Sequence, residues 1–207
     1  MLEFTQQSQV EEQLIKAENR LFFRRWLRHP FRLGTIAPIS QKFANYAASF
    51  LPTLPSGPVI EVGAGTGRLT RSLLKKGLSP DTLAAIELDP DLCSFLKNSL
   101  PEINTIEGDA RQIKQLIPID WVGQVAAVVS VIPLMYLPLA SRREIVENCF
   151  SVMGKKGIFL QVTYSSYSPL QAVDKLLGLP VKTQRLGALW RNLPPGFIWC
   201  YQLADVT

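Results

Sequence analysis

Three glycines separate a short apolar segment from a helical pattern early in this chain. Residues 58–62 read Pro-Val-Ile-Glu-Val, which predicts a short buried strand, and a helical pattern begins at Arg68. Between them lie Gly63, Gly65 and Gly67. Glycine accepts a positive φ and has no Cβ, so this loop can turn tightly and bring its backbone against a ligand. The amides at the start of the helix point into the same space, which suits a nucleotide-like ligand.

The spacing of these glycines argues against a dinucleotide site. Dinucleotide-binding loops read Gly-x-Gly-x-x-Gly, and aligning that pattern on Gly63 and Gly65 puts Arg68 at the third glycine. The chain instead reads Glu61-x-Gly63-x-Gly65-x-Gly67, which resembles the first motif of the class I S-adenosylmethionine-dependent methyltransferases. The resemblance implies that the carboxylate lies near the methionine end of the cosubstrate, and that S-adenosylhomocysteine is the product. The alternative is an ordinary glycine-rich turn between a strand and a helix.

Two further acidic residues follow predicted strands. The strand at 82–87 ends in Glu87, which at this distance from the glycines can accept both ribose hydroxyls of an adenosine. The strand at 103–107 leads to Asp109, and the resemblance implies that Asp109 takes the adenine amino group. The predicted cosubstrate contacts are Glu61, Gly63, Ala64, Gly65, Gly67, Glu87, Leu88, Asp109, Ala110 and Ser130.

Composition limits the class of protein. With 207 residues, 47% hydrophobic and 19% charged, the chain is expected to form one domain with a substantial core, not a disordered protein. The net charge of +5 hints at an anionic partner. Cys93, Cys149 and Cys200 have no paired spacing and are predicted to be reduced thiols. His29 is the only histidine, so a histidine-ligated metal site is not expected.

The longest uncharged segment, residues 121–141, invites comparison with a membrane-spanning helix. It contains Pro133 and Pro138 and only a short apolar core, so it is predicted to be a buried strand followed by a proline-rich loop. The first residues are polar and acidic, unlike a secretory signal. We therefore expect a cytoplasmic protein, and the arginine-rich segment at 20–32 predicts that it is peripheral on the inner face of the cytoplasmic membrane.

Residues 6–28 are predicted to form a helix whose second half has large aromatic side chains on one side and arginines on the other. Five arginines lie between positions 20 and 32, with no acidic residue among them. This pattern describes an interfacial helix near an anionic leaflet. Two alternatives stay open, a helix that packs on the core and a basic patch for RNA phosphates. The residues assigned to membrane contact are Arg20, Phe22, Phe23, Arg24, Arg25, Trp26 and Arg28.

Strand and helix patterns alternate over the rest of the chain. Such alternation predicts a doubly wound parallel sheet. Ser40 is the predicted N-cap of a helix at 41–50. The remaining strands are predicted at 58–62, 82–87, 103–107, 124–131, 157–164, 182–190 and 197–203, and the remaining helices at 69–76, 90–100, 139–153 and 169–177. The fold class is therefore α/β, a doubly wound, seven-stranded Rossmann-like methyltransferase sheet with an N-terminal amphipathic helical extension. Residues 1–50 are predicted to form that extension, as membrane contact and acceptor-site lid, and residues 51–207 the S-adenosylmethionine-binding domain.

The acceptor is expected at the loops that follow the strands, because ligands of open α/β sheets bind outside the carboxyl ends of the strands. Four motifs there, over about residues 22–201, resemble bacterial phospholipid N-methyltransferases, which methylate phosphatidylethanolamine towards phosphatidylcholine. These motifs are Gly34-x-Ile36-x-Pro38-x-Ser40, Ser130-Val-Ile-Pro-Leu, Gln161-Val-Thr-Tyr164 and Trp190-x-Asn192-Leu-Pro-Pro. The predicted acceptor contacts are Ile36, Ser40, Ile132, Pro133, Tyr136, Gln161, Trp190, Arg191 and Asn192.

The runner-up resemblance is to the ribosomal RNA adenine dimethyltransferases. Their motif after the fourth strand has Asn or Asp, and an aromatic residue that stacks on the target base. Here Ser130 and Leu134 occupy those two positions, and Leu134 has no π face for stacking. The sequence here also lacks the extra helical domain of those enzymes. Nucleic acid is therefore the less favoured partner, and a small-amine methyltransferase is a further alternative.

The implied reaction is an in-line attack of a neutral amine on the sulfonium methyl group. The amine must first lose a proton, for which His29, Tyr46 and Tyr164 are the candidate bases, with release to water as the alternative. Aromatic faces at Tyr136, Tyr164 and Trp190 are candidates for holding the methylated cation. Arg191 is a candidate contact for the lipid phosphate.

Overall fold

A computed structural model of the chain describes residues 39–52, 55–170 and 180–204. The helix predicted at 6–28, its arginines, His29 and Ile36 lie outside the described residues, as does most of the helix predicted at 169–177. The chain divides into two units, residues 1–38 and residues 39–207, and every described residue belongs to the second.

Helices and strands alternate through the described unit, as the sequence predicts. The helices are α1 (Gln41–Ala48), α2 (Arg68–Lys75), α3 (Pro90–Ser99), α4 (Ile113–Leu116) and α5 (Leu139–Val152). The strands are β1 (Val59–Val62), β2 (Leu83–Glu87), β3 (Asn104–Glu107), β4 (Val125–Ser130), β5 (Met153–Thr163), β6 (Val181–Leu189) and β7 (Gly196–Leu203). Single 3₁₀ turns occur at Pro80–Thr82, Ala110–Gln112, Ile119–Trp121 and Leu134–Tyr136.

The strands form one seven-stranded sheet in the order β3-β2-β1-β4-β5-β7-β6. The five strands from β3 to β5 pair in parallel, whereas β7 is antiparallel to both β5 and β6. One face packs against α1, α2 and α3, and the other packs against α4 and α5. The doubly wound sheet with its final antiparallel pair is therefore confirmed.

Parallel pairing brings the carboxyl ends of β1 to β5 to one edge of the sheet, which we call the carboxyl edge. Strand β6 runs in the same direction as β5, because both are antiparallel to β7. The turn between β6 and β7 therefore lies at the carboxyl edge too. The predicted site residues of the described unit come mostly from the loops at this edge.

Helix α1 is part of the described core. The Ser40 hydroxyl caps it, as predicted, by accepting the Phe43 amide at 3.1 Å, and Phe43 is fully buried. The Phe43 ring lies against Gly196 in β7, and the rings of Tyr46 and Phe50 lie against Gly187 in β6. A Cβ at either glycine would collide with these rings. The predicted division at residue 50 falls after this helix, whereas the compact unit begins at Ile39.

The uncharged segment 121–141 forms a strand and a loop, as expected from its prolines. It contains the buried strand β4, the 3₁₀ turn Leu134–Tyr136 and the start of α5. Within the residues that the structure describes, no helix is both long and apolar enough to span a bilayer.

Candidate active site

The three loop glycines all adopt positive φ angles, as the predicted tight turn requires. Their φ values are +76° at Gly63, +58° at Gly65 and +83° at Gly67. The amides of Gly63 and Ala64 both donate to the carbonyl oxygen of Ile86, at 2.9 and 3.3 Å. The loop therefore folds back over the end of β2.

The surroundings of each glycine show which side of the loop is open. A Cβ at Gly63 would lie 2.8 Å from Cγ1 of Ile132, and one at Gly67 would meet the Leu96 side chain. A Cβ at Gly65, by contrast, would meet no heavy atom of the described residues within 4 Å. The middle of the loop therefore presents bare backbone to open space, which is what close approach of a ligand requires.

Glu87 holds this loop in place from the end of β2. Its side chain is 6% exposed, and its Oε2 accepts the Gly65 amide at 2.7 Å while Oε1 accepts the Asp89 amide at 2.9 Å. Burial raises the pKa of this carboxyl group, and the amide hydrogen bonds oppose the shift. The predicted ribose acceptor is thus also a structural anchor of the glycine loop.

Glu61 is fully buried in β1, on the face covered by α2. The Thr70 hydroxyl donates to its Oε2 at 2.6 Å, and its Oε1 is buried with no hydrogen-bond partner among the described residues. Burial raises the pKa of Glu61 from 4.5 to about 8. A buried carboxyl oxygen without a partner beside a glycine loop suits a cationic group of a bound ligand.

Asp109 follows β3 at the same edge and forms an ion pair with Arg111. The shortest distance between them is 2.6 Å, from Arg111 Nη2 to Asp109 Oδ2, and Oδ1 accepts the Arg111 amide at 2.9 Å. The side-chain hydrogen bond from Arg111 lowers the pKa of Asp109. Ala110, which follows, is buried. Both oxygens of Asp109 are already hydrogen-bonded within the chain, so an adenine amino group would share one of them.

Ser130 and Gln161 are neighbours in the sheet at the exits of β4 and β5. Both side chains are fully buried, and the Ser130 Oγ and Gln161 Oε1 are without hydrogen-bond partners among the described residues. Gln161 Nε2 donates to the carbonyl oxygens of Ile132 at 2.9 Å and Ser130 at 3.2 Å. Because Ile132 also lies against Gly63, Gln161 links the exit of β4 to the glycine loop. Pro133 follows and begins the 3₁₀ turn.

Polar side chains from three of the predicted acceptor motifs lie close together. Ser40 Oγ donates to Asn192 Oδ1 at 2.6 Å, and Asn192 Nδ2 donates to the Pro194 carbonyl at 2.6 Å. The Tyr164 hydroxyl lies close to the Asn192 side chain, which acts to lower the pKa of Tyr164. Asn192 is buried, and the Tyr164 ring lies 5.5 Å from that of Phe43, centroid to centroid. We call Ser40, Tyr164 and Asn192 the acceptor cluster.

Arg68 connects the acceptor cluster to the glycine loop. It is the first residue of α2, directly after Gly67, and its Nη1 donates to the Ile39 carbonyl at 3.0 Å. Burial raises the pKa of Tyr164, while the Asn192 side chain and the positive charge of Arg68 oppose the rise. Sequence reasoning missed this role, because the partners of Arg68 are distant in sequence. Sequence reasoning also missed the hydrogen bond from Thr70 to Glu61. The short separation of nine residues between the strand carboxylate and this hydroxyl could have indicated it.

The remaining predicted residues do not join the acceptor cluster. Tyr46 packs edge-on against Phe50, with centroids 5.0 Å apart, beside Gly187. Tyr136 is 79% exposed and Trp190 is 70% exposed, so the aromatic cage stays a prediction. These two rings lie at the rim of the site. Leu88 and Arg191 are exposed as well.

Comparison with known proteins agrees with this geometry. Residues 59–157 match the family described as a methyltransferase domain. The chain is 26% identical over 147 residues to an ornithine lipid N-methyltransferase of Singulisphaera acidiphila, over 69% of this chain and 76% of that protein. It is 42% identical over 59 residues to ribosomal RNA small subunit methyltransferase A of Chlorobium chlorochromatii, but this alignment covers 28% of the chain and 21% of that protein.

A solved structure shares the fold. Phosphoethanolamine N-methyltransferase 1 of Haemonchus contortus, in complex with phosphoethanolamine and S-adenosylhomocysteine, matches with a TM-score of 0.60 at 16% identity. The match covers 91% of this chain and 49% of that protein.

The sheet order, the glycine loop and the family match show that the chain carries a class I S-adenosylmethionine-dependent methyltransferase domain. It is an enzyme that transfers methyl groups, and S-adenosylmethionine is its cosubstrate. The residues present fit this cosubstrate. Among the described residues, none fills the space over Gly65, and none hydrogen-bonds the buried Oε1 of Glu61, which can therefore receive a cationic group.

Proposed function

We propose that this enzyme methylates the amino group of a membrane lipid, with phosphatidylethanolamine as the first acceptor and phosphatidylcholine as the final product. The observation that carries the proposal is the acceptor cluster. Ser40, Tyr164 and Asn192 come from three separate motifs that resemble phospholipid N-methyltransferases. At the carboxyl edge Ser40 donates a hydrogen bond to Asn192, and the Tyr164 hydroxyl lies beside the Asn192 side chain. Arg68 ties this cluster to the helix that follows the glycine loop.

The relatives support a lipid amine as the acceptor class. The Singulisphaera relative, whose alignment spans most of both chains, is an ornithine lipid N-methyltransferase. The Haemonchus structure with the same fold holds phosphoethanolamine, the headgroup chemistry that we propose for this acceptor. Ornithine lipid is therefore the second lipid to test.

The chain's own residues would orient the two reactants. S-adenosylmethionine, when bound, supplies a methyl group on a sulfonium centre. We assign Glu87 and the glycine loop to its adenosine end and Glu61 to its methionine end. Tyr164 and Asn192 would align the acceptor nitrogen with the methyl group, and alignment of this kind can lower a barrier by about 7–11 kcal/mol.

Tyr164 is better suited to orienting the amine than to deprotonating it. Burial raises its pKa above the ordinary value for a phenol, so the phenol stays protonated at neutral pH. Its oxygen can accept a hydrogen bond from the amine while Asn192 fixes the position of the ring. We therefore propose that the acceptor ammonium loses its proton to water, and that Tyr164 directs the nitrogen lone pair.

We further propose that the enzyme is cytoplasmic and peripheral on the inner face of the membrane, with residues 1–50 contributing membrane contact. The arginines between positions 20 and 32 carry this part of the proposal. Deletion of residues 1–28 should weaken sedimentation with anionic vesicles while S-adenosylmethionine binding is retained. Undiminished vesicle binding of the shortened protein would exclude these residues as an anchor.

Methylation of RNA adenine is the second candidate. The short match to ribosomal RNA methyltransferases and the exposed Tyr136, a ring able to stack on a base, favour it. Leu134 opposes it, because the residue at the stacking position is buried here and has no aromatic face. The lipid proposal accounts for more of the site, since the RNA motif does not involve Asn192.

The lipid profile of a bacterium that normally lacks methylated lipids tests the proposal. Expression of the protein should produce mono-, di- and trimethylated phosphatidylethanolamine, resolved by mass spectrometry of the lipid extract. The Asn192→Ala variant should reduce all three, and an Ile119→Ser variant, altered at the opposite edge, is the matched control. An unchanged lipid profile with soluble, S-adenosylmethionine-binding protein would refute the proposed acceptor.

A further inference from the structure

Large apolar side chains are exposed along one edge of the sheet. Met135 and Tyr136 follow β4, Tyr167 follows β5, and Trp190 and Leu193 lie in the turn between β6 and β7. Tyr167 is 72% exposed and Leu193 is 97% exposed. The strands β4, β5, β7 and β6 are consecutive in the sheet, so these five residues, the apolar rim, lie on adjacent loops of the carboxyl edge. Of the eight large hydrophobic residues that are exposed in the described ranges, only Ile119 lies at the opposite edge.

Arg142 in α5 holds two of these loops together. Its guanidinium donates to the carbonyl oxygens of Met135 at 3.0 Å and Leu137 at 3.2 Å in the loop after β4. It also donates to the Pro169 carbonyl at 3.3 Å, beyond β5. The exposed side chains after β4 and β5 are therefore presented on loops fixed to a common helix.

Hydrogen bonds and ring contacts also fix Tyr167 and the turn between β6 and β7. The Tyr167 amide donates to Ser165 Oγ at 3.1 Å, and the same hydroxyl donates to the Tyr167 carbonyl at 2.9 Å. Trp190 stands edge-on against the buried ring of Phe197, with centroids 5.6 Å apart. The apolar rim is thus a preformed surface at the mouth of the site.

The charge beside the apolar rim has one sign. The turn between β6 and β7 contains one charged residue, the exposed Arg191 between Trp190 and Leu193, and the sequence has no acidic residue between positions 175 and 204. Tyrosine and tryptophan prefer the boundary between headgroups and acyl chains, and arginine and lysine favour anionic headgroups. Exposed rings beside a positive charge match an anionic lipid surface. They match a second protein less well, because that protein would have to supply an acidic partner for the charge.

We propose that the apolar rim inserts into the headgroup region of an anionic bilayer, so that the carboxyl edge faces the membrane. The inference rests on the proposed function for its choice of occupant, since a site that opens towards the bilayer can receive a lipid amine without extracting the whole lipid. This contact is separate from residues 1–38 and belongs to the methyltransferase domain itself.

Vesicle binding without turnover tests the proposal. Full-length protein is sedimented with vesicles of phosphatidylglycerol and phosphatidylcholine, without amine lipid or S-adenosylmethionine, in high salt that screens the arginines. The Trp190→Ser/Leu193→Ser protein should bind at least about tenfold more weakly, because two large apolar side chains no longer leave water. Ile119→Ser, at the opposite edge, should bind as wild type does. Equal binding of the double variant and the Ile119→Ser control would overturn the proposal.

Two additional measurements protect the test from a folding artefact. Leu193→Ser alone removes a side chain that is almost wholly in solvent, and it should still weaken vesicle binding while keeping the unfolding temperature of the wild type. In a Trp26→Phe background, lipids with brominated acyl chains should quench part of the tryptophan fluorescence. This quenched part should disappear when Trp190 is also replaced by phenylalanine. Equal quenching with and without Trp190 would place this ring outside the bilayer.

The outcomes separate this inference from the proposed function. Rim-dependent vesicle binding without lipid methylation would leave the docking surface standing and refute the acceptor. Lipid methylation with rim-independent binding would refute the docking surface alone. Rim-dependent binding of single-stranded RNA, without binding to vesicles, would contradict both and identify the rim as a base-stacking surface.

Discussion

Replacing Glu61 by glutamine isolates the effect of one buried carboxyl group on stability. Burial raises the pKa of Glu61 from 4.5 to about 8, although the Thr70 hydroxyl stabilises the ionised form. The folded protein therefore holds this proton more tightly than the unfolded chain does. Below pH 4.5 the group is protonated in both states, and above about 8 it is ionised in both. Between these limits, the free energy of unfolding falls as the pH rises.

The size of this loss follows from the two pKa values. From pH 5 to pH 7 the wild-type protein should lose about 2–3 kcal/mol through Glu61 alone. Glutamine has nearly the same shape and does not titrate. Between pH 5 and pH 7 the loss of stability of Glu61→Gln should therefore be smaller than that of the wild type by about 2–3 kcal/mol. Burial also raises the pKa of Glu87, and its negative charge contributes to the rise at Glu61. The comparison therefore measures the effect of Glu61 together with its coupling to Glu87.

Urea unfolding curves at a series of pH values measure this difference. The slope of unfolding free energy against pH is the readout, because the new amide can change the absolute stability by leaving a buried N–H group without a partner. Glu102→Gln, at an exposed glutamate, is the control for the substitution and should keep the wild-type slope. Parallel slopes for the wild type and Glu61→Gln would refute a strongly raised pKa of Glu61.

Three further substitutions test the site. Glu87→Ala should weaken S-adenosylmethionine binding by about tenfold to a hundredfold in calorimetry, because the ribose acceptor is lost and the Gly65 amide loses its partner; unchanged affinity would exclude the assignment. Gly65→Ala should abolish detectable cosubstrate binding. Its control is Gly123→Ala before β4, which should retain binding, because Gly123 also has a positive φ (+79°) and no described atom within 4 Å of an added Cβ. Equal affinities of the two variants would contradict close approach of the cosubstrate to the loop. Asn192→Ala should reduce kcat at least about tenfold with the cosubstrate Kd unchanged, because the Tyr164 hydroxyl loses its neighbouring Asn192 side chain. A loss confined to cosubstrate affinity would refute a role of Asn192 on the acceptor side.

Local patterns in the sequence were sufficient to predict most of the fold. Buried apolar runs followed by turn residues located the seven strands, and most of their bounds differ from the structure by one or two residues. Strand β5 is the exception, since it begins at Met153 and not at residue 157. Gly154, Lys155 and Lys156 look like a turn in sequence, but Met153 pairs with Val125 at an irregularity in the sheet and the lysines project into solvent.

The cosubstrate side of the site was more predictable than the acceptor side. The glycine loop and Glu87 are recognisable because each lies at a strand end with a characteristic neighbour. The bond between Ser40 and Asn192 joins residues 152 positions apart, and that between Arg68 and Ile39 depends on how α2 packs beside the start of α1. No local pattern indicates such contacts. The aromatic cage stays a prediction for the same reason, because a sequence does not show whether Tyr136 faces the site or solvent.

Transfer of radiolabelled methyl from S-adenosylmethionine tests the central claim most directly. Vesicles containing phosphatidylethanolamine and protein-free ribosomal RNA are offered together, so that both acceptors compete for the same enzyme. We expect label in the lipid fraction, in mono-, di- and trimethylated headgroups, with none above background in RNA. Label in RNA, or in neither fraction while the protein still binds S-adenosylmethionine, would contradict a lipid amine as the acceptor.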